Sequence, residues 1–305
     1  MTEVEVTQKR VQGIYAALLT PRLADGGLDL AGMRRLVEFL AEHDVRSFAL
    51  NGATGEFCLT TPEELRTLFG VIREVLGNEA NVLCGVGAAG LAGAIELAKI
   101  AQDEGSRALL APAPYFFPYQ QDDLEAFFQS LAVAVDVPVL LYNLPQFTSG
   151  LEVEMACRLI RDVPNIIGIK DSSGSLEILR ALTRQAIPAC RIIGNDSALV
   201  AALEEEILDG VVSGVACVAP ELIQAVYASK DPKQFRLAAG LLDEFITQLD
   251  VFPTPWGLKW IAEARGVLQA SFAQPVSSRR RTQSAEVIQW FQNWQASLPA
   301  IFKAK

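Results

Sequence analysis

The chain has 305 residues, of which half are apolar and a fifth are charged, and its net charge is −10. This length and composition suit one large globular domain, and the acidic balance argues against a nucleic-acid-binding protein, which usually carries a basic face. There is one histidine, His43, so a three-histidine zinc site and the metal-dependent aldolases that use one are excluded.

Short apolar runs alternate with segments of helical periodicity along the chain. Predicted strands lie at 13–21, 46–52, 81–88, 107–115, 137–145, 165–172, 190–196 and 210–218. A helix-like segment follows each run, and near-continuous apolar strands are typical of a parallel sheet covered on both faces. Eight such repeats predict a closed (β/α)8 TIM barrel. The alternative is an open α/β sheet with a helical cap.

The residues after the eighth repeat are predicted to be helical. Three helix-like segments lie at 233–249, 255–265 and 283–297. The sequence therefore predicts a barrel over residues 1–225 and a C-terminal helical extension, residues 226–305, packed on that barrel. The arginines at 279–281 form the only dense basic run, and they are predicted to be a solvated approach to the last helix.

Cysteine usage and the N-terminal residues predict a cytoplasmic protein. The five cysteines are an odd number and include no C-x-x-C pair, as expected in a reducing compartment. Residues 1–10 are polar and show no signal sequence. No apolar stretch approaches the length of a membrane span, so we expect no contact with a membrane.

Lys170 closes the apolar run of the sixth predicted strand, at the barrel end where catalytic residues gather. Burial there disfavours the charged form of the side chain, and a neutral amine is a nucleophile that condenses with carbonyl groups. The alternative is a structural lysine paired with Asp171 or Asp196. Tyr142 ends the preceding strand, so its hydroxyl is expected near the amine as a proton carrier. Its alternative role is that of an aromatic core residue.

The loop at 52–56, with the sequence GATGE, follows the second predicted strand. Its two glycines let backbone N–H groups converge, and Thr54 adds a hydroxyl, which together suit a carboxylate. The alternative is a tight turn without a ligand. We expect Glu56 to brace this loop.

A second glycine-rich segment at 85–90 matches the G-x-G-x-x-G pattern of dinucleotide-binding proteins. It follows the third predicted strand, however, and the next strand ends without the acidic residue that would bind a ribose. The sequence therefore argues against a nicotinamide dinucleotide, and we predict no cofactor and no metal ion.

The ordered motifs resemble those of the dihydrodipicolinate synthase / N-acetylneuraminate lyase superfamily of pyruvate-binding class I aldolases. The matching segments are GATGE at 52–56, GVGA at 85–88, PYFFP at 114–118, YNLP at 142–145, GIKDSSG at 168–174 and VVSGVACVAP at 211–220. The resemblance covers essentially the whole chain. It implies a TIM barrel and a homotetramer built as a dimer of dimers, with a pyruvate-like 2-oxo acid as the ligand.

The resemblance also implies roles for individual residues. Lys170 would form the Schiff base, and Tyr142 would carry protons at the imine. The carboxylate of the 2-oxo acid would bind the loop residues Gly52, Ala53 and Thr54. Near the lysine, the site would be lined by Val212 and Ser213.

Three positions depart from the synthase pattern. Ala53 replaces a hydroxyl residue of a proton relay, and Phe116 replaces a tyrosine that a neighbouring subunit donates to it. Phe147 stands where the synthase has an arginine that binds the carboxylate of its aldehyde substrate. A phenyl ring cannot replace a bidentate Arg–carboxylate contact. These departures argue against the synthase reaction, the condensation of pyruvate with aspartate semialdehyde.

Other residues bear on the second substrate. Ser172, Asp196 and Gly214 are expected to face it and could bind the hydroxyls of a short polyol, while Phe147 makes the pocket more apolar. The sequence therefore predicts a Schiff-base lyase, aldolase or dehydratase acting on a 2-oxo acid, with a 2-keto-3-deoxy sugar acid that releases pyruvate as the preferred substrate. The alternatives are a synthase-like condensation and a non-catalytic protein that binds 2-oxo acids.

Overall fold

A computed structural model describes residues 11–298, which form a closed barrel of eight parallel strands in sequential order. The strands are β1 Gly13–Ala17, β2 Ser47–Leu50, β3 Asn81–Gly85, β4 Ala108–Pro112, β5 Val139–Asn143, β6 Ile166–Asp171, β7 Cys190–Ile193 and β8 Gly210–Ser213. Pairing of β1 with β8 closes the ring, which confirms the predicted TIM barrel and excludes the open sheet.

Helices connect the strands and continue beyond the barrel. They are α1 Leu30–Glu42, α2 Pro62–Leu76, α3 Leu91–Asp103, α4 Gln121–Val133, α5 Val153–Asp162, α6 Glu177–Arg184, α7 Asp196–Glu204, α8 Val215–Val218, α9 Pro220–Ala228, α10 Pro232–Leu249, α11 Trp256–Ala264 and α12 Ser278–Ser297. Between residues 11 and 298, no helix is long and apolar enough to cross a membrane.

Two apolar clusters hold the barrel together. The inner cluster fills the barrel with side chains such as Tyr15, Leu83, Leu110 and Ile167. The outer cluster packs the opposite faces of the same strands against the surrounding helices. Burial on both faces explains why the strands are near-continuous apolar runs.

The eighth strand is shorter than the predicted run at 210–218, because the chain turns into α8 after Ser213. Side chains satisfy the first N–H groups of this short helix. The Asp196 carboxylate accepts from Val215 N–H at 3.1 Å, and the Ser213 hydroxyl accepts from Ala216 N–H at 2.9 Å. These contacts give the apolar segment a helical start that hydrophobicity does not reveal.

The last helix begins before the predicted segment at 283–297. Ser277 caps it by accepting a hydrogen bond from Arg280 N–H, so the arginines at 279–281 lie inside the first turns of α12. The expected place before the helix was therefore wrong, although Arg279 and Arg281 are exposed, as a solvated run should be. The cause is the N-cap serine, which the search for apolar periodicity overlooked.

The three helices α10, α11 and α12 form the observed C-terminal extension. Aromatic contacts join it internally, with the ring of Phe245 5.3 Å from that of Trp294 and 6.2 Å from that of Phe291. The division into units 1–225 and 226–305 stays a prediction, and its boundary falls inside α9. Residues 1–10, with the predicted lack of a signal sequence, and residues 299–305 lie outside the described residues.

Two glycines of the G-x-G-x-x-G segment, Gly85 and Gly87, allow close packing at the ends of the strands. A Cβ at Gly85 would meet the carbonyl group of Asn51, and one at Gly87 would meet the ring of Phe57. A closed barrel also has no point where the strand order reverses, which is where dinucleotides bind in open sheets. The pattern is thus explained by contacts between the ends of β2 and β3.

Candidate active site

A cavity of about 310 Å³ lies at the carboxyl ends of the strands, where TIM-barrel enzymes hold their active sites. Of the residues predicted from the sequence, the cavity is lined by Ala53, Thr54, Tyr142, Phe147, Lys170, Ser172, Asp196 and Val212. Gly52 and Ser213 are buried and do not line it. The structure therefore brings most of the predicted site residues to one place.

Lys170 projects into this cavity from the end of β6. Its side chain is 3% exposed, and its Nζ lies 3.9 Å from the centroid of the Tyr142 ring. The strand register explains this contact, because Tyr142 pairs with Lys170 across β5 and β6. The amine therefore faces the π-surface of the ring, an attractive arrangement for an ammonium group. The sequence instead predicts that the Tyr142 hydroxyl, rather than the ring face, lies nearest the Lys170 amine.

The Lys170 amine has no hydrogen bond or salt bridge to any residue between 11 and 298. In particular, it forms no salt bridge with Asp171 or Asp196, although its charge is close enough to lower the pKa of the Asp196 carboxyl. Asp171 instead accepts hydrogen bonds from the Asn143 side chain at 3.1 Å and from Ser173 N–H at 2.9 Å. A buried amine without a hydrogen bond is available to a ligand.

Gly194, directly after β7, makes room for the lysine. A Cβ at this position would stand 2.5 Å from Lys170 Cε and would also strike the Ser172 hydroxyl. Only a glycine lets these side chains occupy their present places. Gly194 was not among the predicted site residues, although a glycine directly after the strand next to that of Lys170 could have indicated a close contact there.

The loop at 52–56 has the form of an anion site. Glu56 N–H donates to the Ala53 carbonyl at 3.0 Å, and Phe57 N–H donates to the Gly52 carbonyl at 3.2 Å, so the loop is a tight turn. In the described part of the chain, the N–H groups of Ala53 and Thr54 donate to no acceptor. Free backbone N–H groups beside a hydroxyl can bind a carboxylate.

Two further oxygens at the cavity lack a partner within residues 11–298. They are Asp196 Oδ1 and the Ser172 hydroxyl, and both atoms are buried. Burial raises the pKa of the Asp196 carboxyl, whereas hydrogen bonds from Ser213 and from Val215 N–H lower it. Unsatisfied buried oxygens are costly, so these two are suited to bind hydroxyl groups of a ligand.

The outer wall of the cavity comes partly from the C-terminal extension. Its residues there include Leu249, Asp250, Phe252, Thr254 and Leu258. The sequence analysis did not assign this region to the site, although the Pro-Thr-Pro break at 253–255 marked a loop between two helices. No arginine lines the cavity, and Lys170 is its only lysine among the described residues.

Phe116 and Phe147, the two phenylalanines that depart from the synthase pattern, are both exposed, but only Phe147 lines the cavity. Phe147 is 53% exposed and lines its mouth. Phe116 is 84% exposed, has a backbone φ of +86°, and packs edge-on against Phe117 rather than lining the cavity. Within residues 11–298, no group of three or more His, Cys, Asp or Glu side chains could hold a metal ion.

Comparisons with known proteins agree on one family. Residues 10–293 match the sequence model of the Dihydrodipicolinate synthetase family. The 4-hydroxy-tetrahydrodipicolinate synthase of Cellvibrio japonicus is 33% identical over 273 residues, which cover 88% of this chain and 93% of the relative. The corresponding enzyme of Moorella thermoacetica is 35% identical over 214 residues, 70% of this chain and 73% of the relative.

Solved structures show the same fold. The dihydrodipicolinate synthase of Acinetobacter baumannii, crystallised with pyruvate, has a TM-score of 0.84 and is 28% identical, covering 92% of this chain and 99% of its own. The N-acetylneuraminate lyase of Mycoplasma synoviae has a TM-score of 0.82 at 21% identity, covering 94% of this chain and 99% of its own. The second likeness concerns the fold alone.

Proposed function

Because the chain belongs to the dihydrodipicolinate synthetase family, we propose that Lys170 forms an imine with pyruvate or a related 2-oxo acid. The protein is an enzyme of the class I aldolase superfamily. The observation that carries the assignment is the buried Lys170 amine, which has no hydrogen bond or salt bridge within residues 11–298 and faces the cavity beside Tyr142.

The covalent steps follow from a neutral amine and a ketone. The Lys170 nitrogen attacks C2 of the 2-oxo acid to give a carbinolamine. A proton added to the carbinolamine hydroxyl lets it leave as water, and a protonated imine remains. This imine withdraws electrons from C3, so loss of a C3 proton gives an enamine. The enamine can attack an aldehyde to form a C–C bond. In the reverse sense, breaking the C3–C4 bond of a longer 2-oxo acid releases the aldehyde and leaves the enamine.

Other residues support these steps by binding and proton transfer. The free N–H groups of Ala53 and Thr54, with the Thr54 hydroxyl, hold the carboxylate of the 2-oxo acid. Gly52 and Ser213 shape the backbone behind the binding surface, and Val212 lines it. Tyr142 carries the proton that leaves with water and the proton exchanged with the aldehyde oxygen, a role worth about 100- to 10,000-fold in rate.

The first candidate reaction is the condensation of pyruvate with an aldehyde. The relatives are named 4-hydroxy-tetrahydrodipicolinate synthase. These names support a synthase-like condensation better than the cleavage of a 2-keto-3-deoxy sugar acid, which the sequence analysis preferred. Membership of an enzyme family also argues against the non-catalytic alternative.

The second candidate is that cleavage, and the outer wall of the cavity favours it. Phe147 occupies the position where the synthase pattern has an arginine. Among the described residues, no cationic side chain lines the outer wall. Ser172 and Asp196 instead offer unpaired oxygens that suit hydroxyl groups. An aldehyde with hydroxyls fits this surface better than one with a carboxylate.

Borohydride trapping tests the imine. Protein incubated with pyruvate and borohydride is expected to gain one reduced adduct on Lys170 by intact mass and peptide mapping. Lys170→Ala should gain none, whereas the exposed control Lys99→Ala should react like the wild type. Absence of the adduct, or its persistence in Lys170→Ala, would refute the assignment.

A substrate panel separates the two candidate reactions. Condensation predicts consumption of pyruvate in the presence of aspartate semialdehyde. Cleavage predicts release of pyruvate from one or more 2-keto-3-deoxy sugar acids, followed with a coupled reductase. Turnover in only one half of the panel removes the other candidate.

We also propose a homotetramer in a reducing, cytoplasmic compartment. Phe116 and Phe117 are 84% and 61% exposed beside each other, and an exposed aromatic pair favours contact with a second copy. The described residues contain free cysteines, four of them buried. Light scattering after gel filtration should give the mass of four chains, and a monomeric mass would contradict the assembly.

A further inference from the structure

A second buried lysine links the C-terminal extension to the loop at 52–56. Lys259 lies on α11 and is 3% exposed. Its Nζ donates to Glu56 Oε2 at 2.5 Å and to the Ser271 carbonyl at 2.9 Å. The Glu56 side chain is only 12% exposed, so both charges are largely withdrawn from water. A buried charge left without its partner is strongly destabilising, so the two groups depend on each other.

The conformation of Glu56 shows that this contact bears on the loop. Its φ of +56° lies in the left-handed region, which residues with a side chain rarely adopt. Hydrogen bonds within the loop run from Glu56 N–H to Ala53 and from Phe57 N–H to Gly52. The Glu56 carboxylate extends this turn to the C-terminal extension through Lys259, 203 residues away in sequence.

The same helix also forms part of the cavity wall. Gly257 and Leu258, the two residues before Lys259, line the cavity. A Cβ added at Gly214 would stand 2.9 Å from Leu258 Cδ1 and 3.7 Å from the Thr54 hydroxyl oxygen. Helix α11 therefore contacts the site at two points, the cavity wall and the loop at 52–56. A shift of the helix would move both.

We propose that Lys259 is a positioning residue that acts through Glu56 on the carboxylate-binding loop. The proposal rests on the proposed function, because it takes the N–H groups of Ala53 and Thr54 as the carboxylate site. The ion pair holds those groups in the orientation that binds a 2-oxo acid. Its loss weakens the binding of pyruvate more than it slows the chemistry at Lys170.

The chain offers a matched control on the same helix. Arg265, which ends α11, forms a second buried ion pair with Glu221 at 2.6 Å, with side chains 8% and 13% exposed. This pair joins α11 to α9, and neither residue lines the cavity. Lys259→Met and Arg265→Met therefore each break a buried ion pair of α11, but only the first releases the loop at 52–56.

The experiment measures borohydride trapping of pyruvate by the full-length chain as a function of pyruvate concentration. For Lys259→Met, we expect the half-saturating concentration to rise about tenfold, the effect of losing a charge-assisted contact. The maximal trapping rate should stay within about threefold of the wild type. Arg265→Met should lower the melting temperature about as much as Lys259→Met does. It should leave the half-saturating pyruvate concentration unchanged.

Two further variants keep the proposal open to refutation. Lys259→Met combined with Glu56→Gln should bind pyruvate no worse than Lys259→Met alone, since the two residues act as one unit. If Lys259→Met does not fold, Lys259→Gln is compared with Arg265→Gln; each removes the charge but keeps a polar side chain, and only the former should raise half-saturation. Equal half-saturation in folded wild type and Lys259 variant, or an equal rise in the Arg265 variant, overturns the proposal. A wild type that traps no pyruvate instead overturns the proposed function.

Discussion

Replacing Gly194 by alanine would place a methyl group against the side chain of Lys170. The added Cβ would stand 2.5 Å from Lys170 Cε and 3.0 Å from its Cγ. Carbon atoms in contact prefer separations of about 3.5–4.0 Å, so Cε must move by about 1 Å. A misplacement of about 1 Å can slow a reaction about 100-fold. The groups that must move are side-chain atoms, so we expect the barrel itself to fold normally.

The assay is the rate of borohydride trapping at saturating pyruvate, read by intact mass, with circular dichroism and melting temperature as checks of folding. Gly194→Ala should trap about 100-fold more slowly than the wild type. The control is Gly70→Ala on α2, where an added Cβ meets nothing within 4 Å. A folded Gly194→Ala variant that reacts at the wild-type rate would show that Lys170 does not react from its present position, and the reasoning would fail.

Four changes at and near the site extend these tests. Tyr142→Phe should slow imine formation about 100-fold in trapping time courses, with little change in half-saturating pyruvate. Burial raises the pKa of the Asp196 carboxyl, so this group stabilises the fold in its protonated form. That contribution is fully present below the ordinary pKa of 3.8 and is lost as pH rises through the raised pKa of the folded protein. The melting temperature of Asp196→Asn relative to wild type should therefore increase from about pH 4 to about pH 7. Phe147→Arg should lower the KM for aspartate semialdehyde about tenfold in steady-state kinetics, because it places a guanidinium group at the mouth of the cavity. Arg265→Met should lower the free energy of unfolding by about 3 kcal/mol in denaturant titrations, because Glu221 loses its partner.

The barrel could be predicted because each strand is recognisable in the sequence as a short apolar run. A strand covered on both faces must be apolar along its whole length, as at Ile166–Asp171 up to the lysine. The ends of such runs are less certain, because apolar residues also suit short helices. Val215–Val218 is as apolar as the strand before it, and hydrogen bonds from its first N–H groups to Asp196 and Ser213 support its helical start.

The contact between Lys170 and Tyr142 could be predicted for the same reason. Consecutive strands of a barrel are neighbours, so the last residues of β5 and β6 must meet at one edge. The approach of the amine to the ring face could not be predicted, because it depends on the rotamers of both side chains and on the space that Gly194 leaves for Lys170. The structure accordingly has the amine over the ring face.

The ion pair between Glu56 and Lys259 lies beyond what sequence patterns reveal. A helix of mixed composition shows which of its faces is apolar, but not which loop of the barrel it will meet. Lys259 also resembles a solvated lysine in sequence, and its burial arises from the packing of Trp256–Ala264 against α8 and α12. Contacts of this kind depend on tertiary structure alone.

The site therefore has two parts that are held in different ways. Lys170 and Tyr142 stand on neighbouring strands, and the hydrogen-bonded register of the barrel fixes their separation. The outer wall depends on residues 249–258, which are held by packing between helices and by a hydrogen bond from Arg280 to the Val251 carbonyl. Helix packing tolerates substitutions that a strand register does not. Phe147 lies in neither part, because it stands in the loop after β5 and lines the cavity from there.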